Sequence, residues 1–83
     1  MRINESAHRH DVTEDEILHA WHNALNFFDI DINHEPIKSL CIGPDRAANL
    51  LEILYLQEAD GEHIIHAMPL RPAFRRYLTG ERP

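Results

Sequence analysis

The chain has 83 residues, with 8 Lys+Arg against 14 Asp+Glu, 7 His and a single cysteine. That suffices for one small domain, 1–83, of limited stability, because so short a chain leaves much of its surface in water. Cys41 alone excludes an intrachain disulfide, no apolar run approaches the roughly 18 residues that span a bilayer, and the start lacks the apolar core of a signal peptide, so the expected location is the cytoplasm.

A net charge of −6 speaks against general nucleic-acid binding, yet the charge is uneven. Residues 1–65 carry 4 basic and 13 acidic side chains, whereas residues 66–83 carry Arg71, Arg75, Arg76 and Arg82 against Glu81 alone. Two readings stand beside each other: a basic patch on an acidic body, or arginines compensating a helix dipole.

In chain order, Asn4 to His10 reads as one short turn capped by Asn4. Thr13-Glu-Asp-Glu16 is a capping box, and Ile17, Ala20, Trp21, Ala24 and Phe28 recur at helical spacing, which predicts a helix over 14–25. The period then changes from 3.6 to 2. Phe28, Ile30 and Ile32 alternate with Asp29 and Asp31, a half-buried strand with its carboxylates in water. Asn33 to Pro36 is a turn, Ile37 to Ile42 a second strand, and Gly43-Pro44-Asp45-Arg46 a connection. Asn49 to Gln57 is apolar on both faces, hence central in a sheet, with Glu52 out of place among leucines. Ala59-Asp60-Gly61 closes a hairpin onto a strand over Glu62 to Met68, with Ile64, His66 and Met68 on one face and His63, Ile65 and Ala67 on the other. Pro69 and Pro72 end the sheet. A short helix follows over Pro72 to Thr79, with Gly80 as its stop. Phe74, Tyr77 and Leu78 form its apolar face, Arg71 and Arg75 border that face, and Arg76 points away. The fold class is α+β: an N-terminal helix, an antiparallel sheet of three to four strands, and a short C-terminal helix.

Seven histidines raise the question of a metal. His19 and His22 share a helix face, but His63 and His66 would lie on opposite sides of a strand, and Cys41 stands alone where structural zinc sites show Cys or His pairs. No metal and no cofactor is expected. Glu52, facing the core, needs a partner, for which Arg46 or a histidine is available. Trp21 reads as a core anchor or as a contact for a partner.

His10, His66, Arg71, Arg75 and Tyr77 form a more informative set. Metal-free RNA cleavage requires a base for the 2′-hydroxyl, an acid for the leaving 5′-oxygen and a group for the charge on phosphate. Imidazoles suit the proton steps and guanidinium forks suit the phosphate. Tyr77 would orient phosphate or stack on a base, and Arg46, Arg71, Arg75 and Arg76 would contact RNA. Each has a structural counterpart: Tyr77 as core beside Phe74 and Leu78, His66 as a buried hydrogen-bonded ring, His10 as the close of the first turn.

Ser6-Ala-His-Arg-His-Asp-Val-Thr13-Glu-Asp-Glu-Ile17 resembles the opening of small bacterial toxins of the BrnT-like group and their actinobacterial relatives, where Ala-x-x-His-Gly-(Val/Ile)-(Ser/Thr) leads into an acidic helix start. Ile42-Gly-Pro-Asp-Arg46 with Leu50-Leu-Glu-Ile53 resembles their central hairpin, and Ile64-Ile-His-Ala67 with Arg71 to Tyr77 their last strand and basic end. Asp11 stands where that pattern has Gly, and His66-Ala67-Met68 where it has Ser-Ala-Arg. The resemblance implies a RelE-like fold, the toxin of a type II toxin–antitoxin system, metal-independent endoribonuclease activity on an RNA substrate, and a cognate antitoxin as partner; homodimerisation stays open. The alternative is a non-catalytic module that binds a protein through its acidic face or sheet edge.

Overall fold

The computed structural model describes residues 1–79. Gly80, expected to stop the last helix, lies outside them, as do Glu81 and Arg82. In chain order come β1 (Arg2–Ile3), a 3₁₀ turn (Glu5–His8), α1 (Glu14–His22), β2 (Asn26–Asp31), β3 (Ile37–Pro44), β4 (Leu50–Glu58), β5 (Gly61–Pro69) and a C-terminal 3₁₀ helix (Pro72–Thr79). The class is α+β. The sheet, however, has five strands in the order β1-β5-β4-β3-β2, with β4 at its centre as expected. It is also mixed rather than purely antiparallel: β1 runs parallel to β5, with Arg2 opposite His63 and Ile3 opposite Ile64. Two residues are too few to leave an alternation in the sequence.

Local chemistry sets the boundaries. The capping box of α1 is complete, with Thr13 Oγ1 accepting from the Glu16 amide and Glu16 Oε1 accepting from the Thr13 amide. The helix ends at His22 rather than 25, because Asn26 and Phe27 already pair with Ile42 and Cys41 of β3. Asn4 makes no side-chain cap; its backbone N–H donates to Ile64 O and continues the β1–β5 pairing.

Two cores flank the sheet. On the helix face, Ile17 and Ala20 of α1 pack on Cys41, Leu51, Ile53, Tyr55, Ile64 and Ala67. On the opposite face, Leu70 and Tyr77 pack on Leu40, Ile42 and Leu54. Close approach of α1 to β3 requires Gly43, where a Cβ would sit 2.0 Å from the Ala20 carbonyl oxygen. Among the described residues no helix is long and apolar enough to cross a membrane.

A bulge changes the expected faces of β5. Leu54 opposes His66 while Tyr55 opposes Ile64, so Ile65 is the extra residue. Ile64 therefore joins Ala67 in the helix-face core, and Ile65 packs against the other core. His63, opposite Leu56, and His66, opposite Leu54, fall on the same face of the sheet, not on opposite ones.

The last element keeps its expected bounds but winds as a 3₁₀ helix. At three residues per turn, Arg71, Phe74 and Tyr77 align. The Arg71 guanidinium lies 5.1 Å from the Phe74 ring centroid, and Phe74 lies 5.9 Å from Tyr77. Arg71 and Arg75 are thus not the matched pair that a 3.6-residue period predicts.

Candidate functional site

The central feature is Glu52, a fully buried carboxylate on β4. Isolated, a buried charge is prohibitive; here both its oxygens are hydrogen-bonded. Oε1 accepts the Arg71 backbone N–H at 2.8 Å. Oε2 accepts from Arg71 Nε at 2.9 Å and Nη2 at 2.7 Å, and pairs with His66 Nε2 at 3.0 Å. Glu52 thus has a histidine partner, as one reading anticipated, together with Arg71. The other expected partner, Arg46, is elsewhere: it makes a two-pronged pair with Asp15 at 2.8 and 3.1 Å on the exposed start of α1. The guanidinium expected to contact RNA stays largely exposed in that pair, with Nη1 outside it.

Burial pushes the Glu52 carboxyl up, but the bonds from the Arg71 side chain and backbone and from His66 outweigh it and hold the group below the usual range. Burial pulls the His66 imidazole down, against the opposing pull of Glu52, and the net shift is downward. The two directions together fix a tautomer. An ionised Glu52 accepts, so Nε2 of a neutral His66 carries the proton and Nδ1 presents a lone pair.

His10 reaches this pair. The 3₁₀ turn packs along the outer edge of β5 just past the end of β1, where Ser6 Oγ donates to Ile65 O at 2.6 Å. Its buried Ala7 anchors it to the helix-face core. His8 Nδ1, 2.8 Å from Val12 O, ties down the chain beyond. Asp11 has φ +62°, the left-handed region that glycine occupies freely and Asp tolerates. The His10 ring then lies edge-on to His66, centroids 5.5 Å apart and planes at 71°. His10 thus sits at the rim of the Glu52 site, one residue before the left-handed turn at Asp11.

Of the five residues expected to carry chemistry, His10, His66 and Arg71 converge. Arg75 is exposed and lines a separate cleft of about 500 Å³ with Asn49, Leu50 and Leu70. Tyr77 is 3% exposed and packs on Phe28 and Phe74, in its core role. Arg76 is not directed away from the apolar face; its guanidinium lies over the Tyr77 ring at 5.4 Å. Glu52, absent from the expected site residues, is the group that organises it, and the signal was present: a lone carboxylate in a run of leucines.

The other titratable side chains are committed or dispersed. His19 Nδ1 is 3.0 Å from Pro44 O and ties α1 to the end of β3. The Cys41 thiol, fully buried, is pushed up to about 12 and is inert. Among the described residues no group of three His, Cys, Asp or Glu side chains is disposed to hold a metal ion. Comparison with protein-family models, with curated proteins and with solved structures finds no match to this chain.

Proposed function

We propose that the chain is the toxin of a type II toxin–antitoxin pair, acting in the cytoplasm as a metal-independent endoribonuclease. The observation that supports this reading is the His10–His66 pair, 5.5 Å apart beside the ionised Glu52 and Arg71. Glu52 holds the His66 tautomer whose Nδ1 takes the proton from a ribose 2′-hydroxyl. The 2′-oxygen attacks the adjacent phosphorus, and the 5′-oxygen leaves with a proton delivered by His10 as the general acid. The products are a 2′,3′-cyclic phosphate and a 5′-hydroxyl. Arg71 uses Nε and Nη2 on Glu52, which leaves Nη1 for a phosphate oxygen, and the exposed Arg75 extends the contact along the strand.

A second reading has its own support. Arg71 gives Glu52 three hydrogen bonds, one from its backbone, so the cluster also serves as a clamp that fastens the chain before the C-terminal helix to β4. In that reading the chain is a protein-interaction module without catalysis.

Total RNA incubated with the protein in EDTA, and in a translating extract, separates the two. Wild type is expected to give discrete fragments with cyclic phosphate ends. His66→Ala and His10→Ala, shown to be folded by their thermal midpoints, should cut at least about a hundredfold more slowly. Intact RNA in both settings would sink the ribonuclease reading and leave the interaction module.

A further inference from the structure

The helix face of the sheet is only half covered. Nine residues of α1 extend about 14 Å, whereas the nine-residue strands β4 and β5 extend about 30 Å. The helix stops at Trp21 and His22, and the half of the face toward the β4–β5 turn carries no helix among the described residues. Its boundary is an aromatic corner. Trp21 lies 5.0 Å from Phe27 and 4.8 Å from Tyr55, with ring planes at 76° and 80°. Phe27 and Tyr55 are 6.3 Å apart at 84°. Rings meeting edge to face form walls rather than a stack. Phe27 is 47% exposed, unusual for a residue so flanked.

Beyond the corner the floor is polar and negative. The three rings, with Gln57, Glu58 and Glu62, line an open cleft of about 480 Å³. Gln57 and Ser39 both donate to Asp29 Oδ1, at 2.7 and 2.8 Å. Glu58 is neutralised by Arg2 and approached by His63. Asp29 and Glu62 have no cationic partner among the described residues. Burial pushes the Tyr55 phenol up, against the hydrogen bond to Ser39, with smaller upward contributions from Cys41, Asp29 and Glu62. An anionic floor repels nucleic acid. A cation with a flat, weakly hydrated face meets the half-exposed Phe27 ring and the edge of Trp21 on one side and carboxylates on the other, with Tyr55 buried behind them.

We propose that this cleft binds an arginine side chain presented by a protein partner, on the face of the sheet opposite His66 and Glu52. The inference does not rest on the ribonuclease reading, and its test reads binding alone. Trp21 is the only tryptophan in the chain and sits in the wall of the cleft, so its emission reports occupancy. The probe is a short peptide carrying two arginines, with the citrulline peptide of the same sequence as the neutral isostere. The arginine peptide should change Trp21 emission saturably, and at least about tenfold more tightly than the citrulline peptide. Glu62→Gln, which leaves the rings untouched, should weaken it about threefold or more, and Phe27→Ala should abolish saturation, both with thermal midpoints near wild type. Equal titrations by the two peptides, or no saturation by about 10 mM arginine peptide, would overturn the proposal.

Discussion

The two faces of the sheet handle negative charge in opposite ways. On the face of the C-terminal helix, Glu52 is fully buried and both its oxygens accept hydrogen bonds, one at Oε1 and three at Oε2. On the helix face, Asp29 and Glu62 stand beside three rings with no cationic partner among the described residues. A net charge of −6 therefore describes neither surface. The difference shows that a carboxylate's neighbours decide its use: with Arg71 and His66 it becomes an internal counter-ion that sets a tautomer, and beside aromatic walls it becomes an attraction for an external cation.

The sharpest break of the helix face is Gly43→Ala. A Cβ 2.0 Å from a backbone carbonyl cannot be absorbed by a rotamer change, so α1 must lift from β3. The expected loss is about 3 kcal/mol, the upper end for overpacking, measured by urea unfolding. A loss below about 1 kcal/mol would mean that α1 is not seated as described.

On the other face, Arg71→Leu strands the Glu52 charge. Removing one partner of a buried pair costs roughly 3–5 kcal/mol, and the 47% exposure of the Arg71 side chain lowers this to about 2 kcal/mol. The double variant Glu52→Gln/Arg71→Leu should recover part of that loss, since no unpaired charge remains. Equal losses in the single and double variants would show that Glu52 is not ionised in the fold.

The smallest effect is a pH dependence centred on Glu52 and His66. Glu52 and His66 are both held below their ordinary values, so the unfolded chain binds their protons more readily and stability rises with pH through both ranges. On acidification the thermal midpoint should fall first below about pH 6.5, as the unfolded-state His66 protonates, and further below about pH 4.5 as the Glu52 contribution is lost. His66→Gln should remove the upper step and keep the lower. A midpoint unchanged between pH 7 and 5.5 would contradict the neutral, Glu52-bonded ring.

Much of the frame was legible because it rests on local rules. Thr13 and Glu16 announce the start of α1, and the leucines on both sides of β4 announce the central strand. What escaped depends on non-local pairing. Arg2 and Ile3 are a strand only because β5 is there to receive them. The Ile65 bulge is invisible to alternation, since one extra residue moves side chains to the other face without altering composition. The Glu52 partnership was half legible: its need was evident from the leucines around it, but the 3₁₀ winding that turns Arg71 from Arg75's companion into Glu52's could not be read from a helical period.

The parallel pairing of β1 with β5 has a consequence for the order of assembly. β2 to β5 form a meander of successive neighbours, closable as each strand leaves the ribosome. The first strand and the 3₁₀ turn must wait, since Ser6 meets Ile65 across 59 residues of chain. His10 travels with that segment, so its meeting with His66 must wait for β5. The Asn4 amide, bonded to Ile64 O, should accordingly gain hydrogen-exchange protection after the β3–β4 amides. A nascent chain would carry its scaffold before it carried its paired imidazoles.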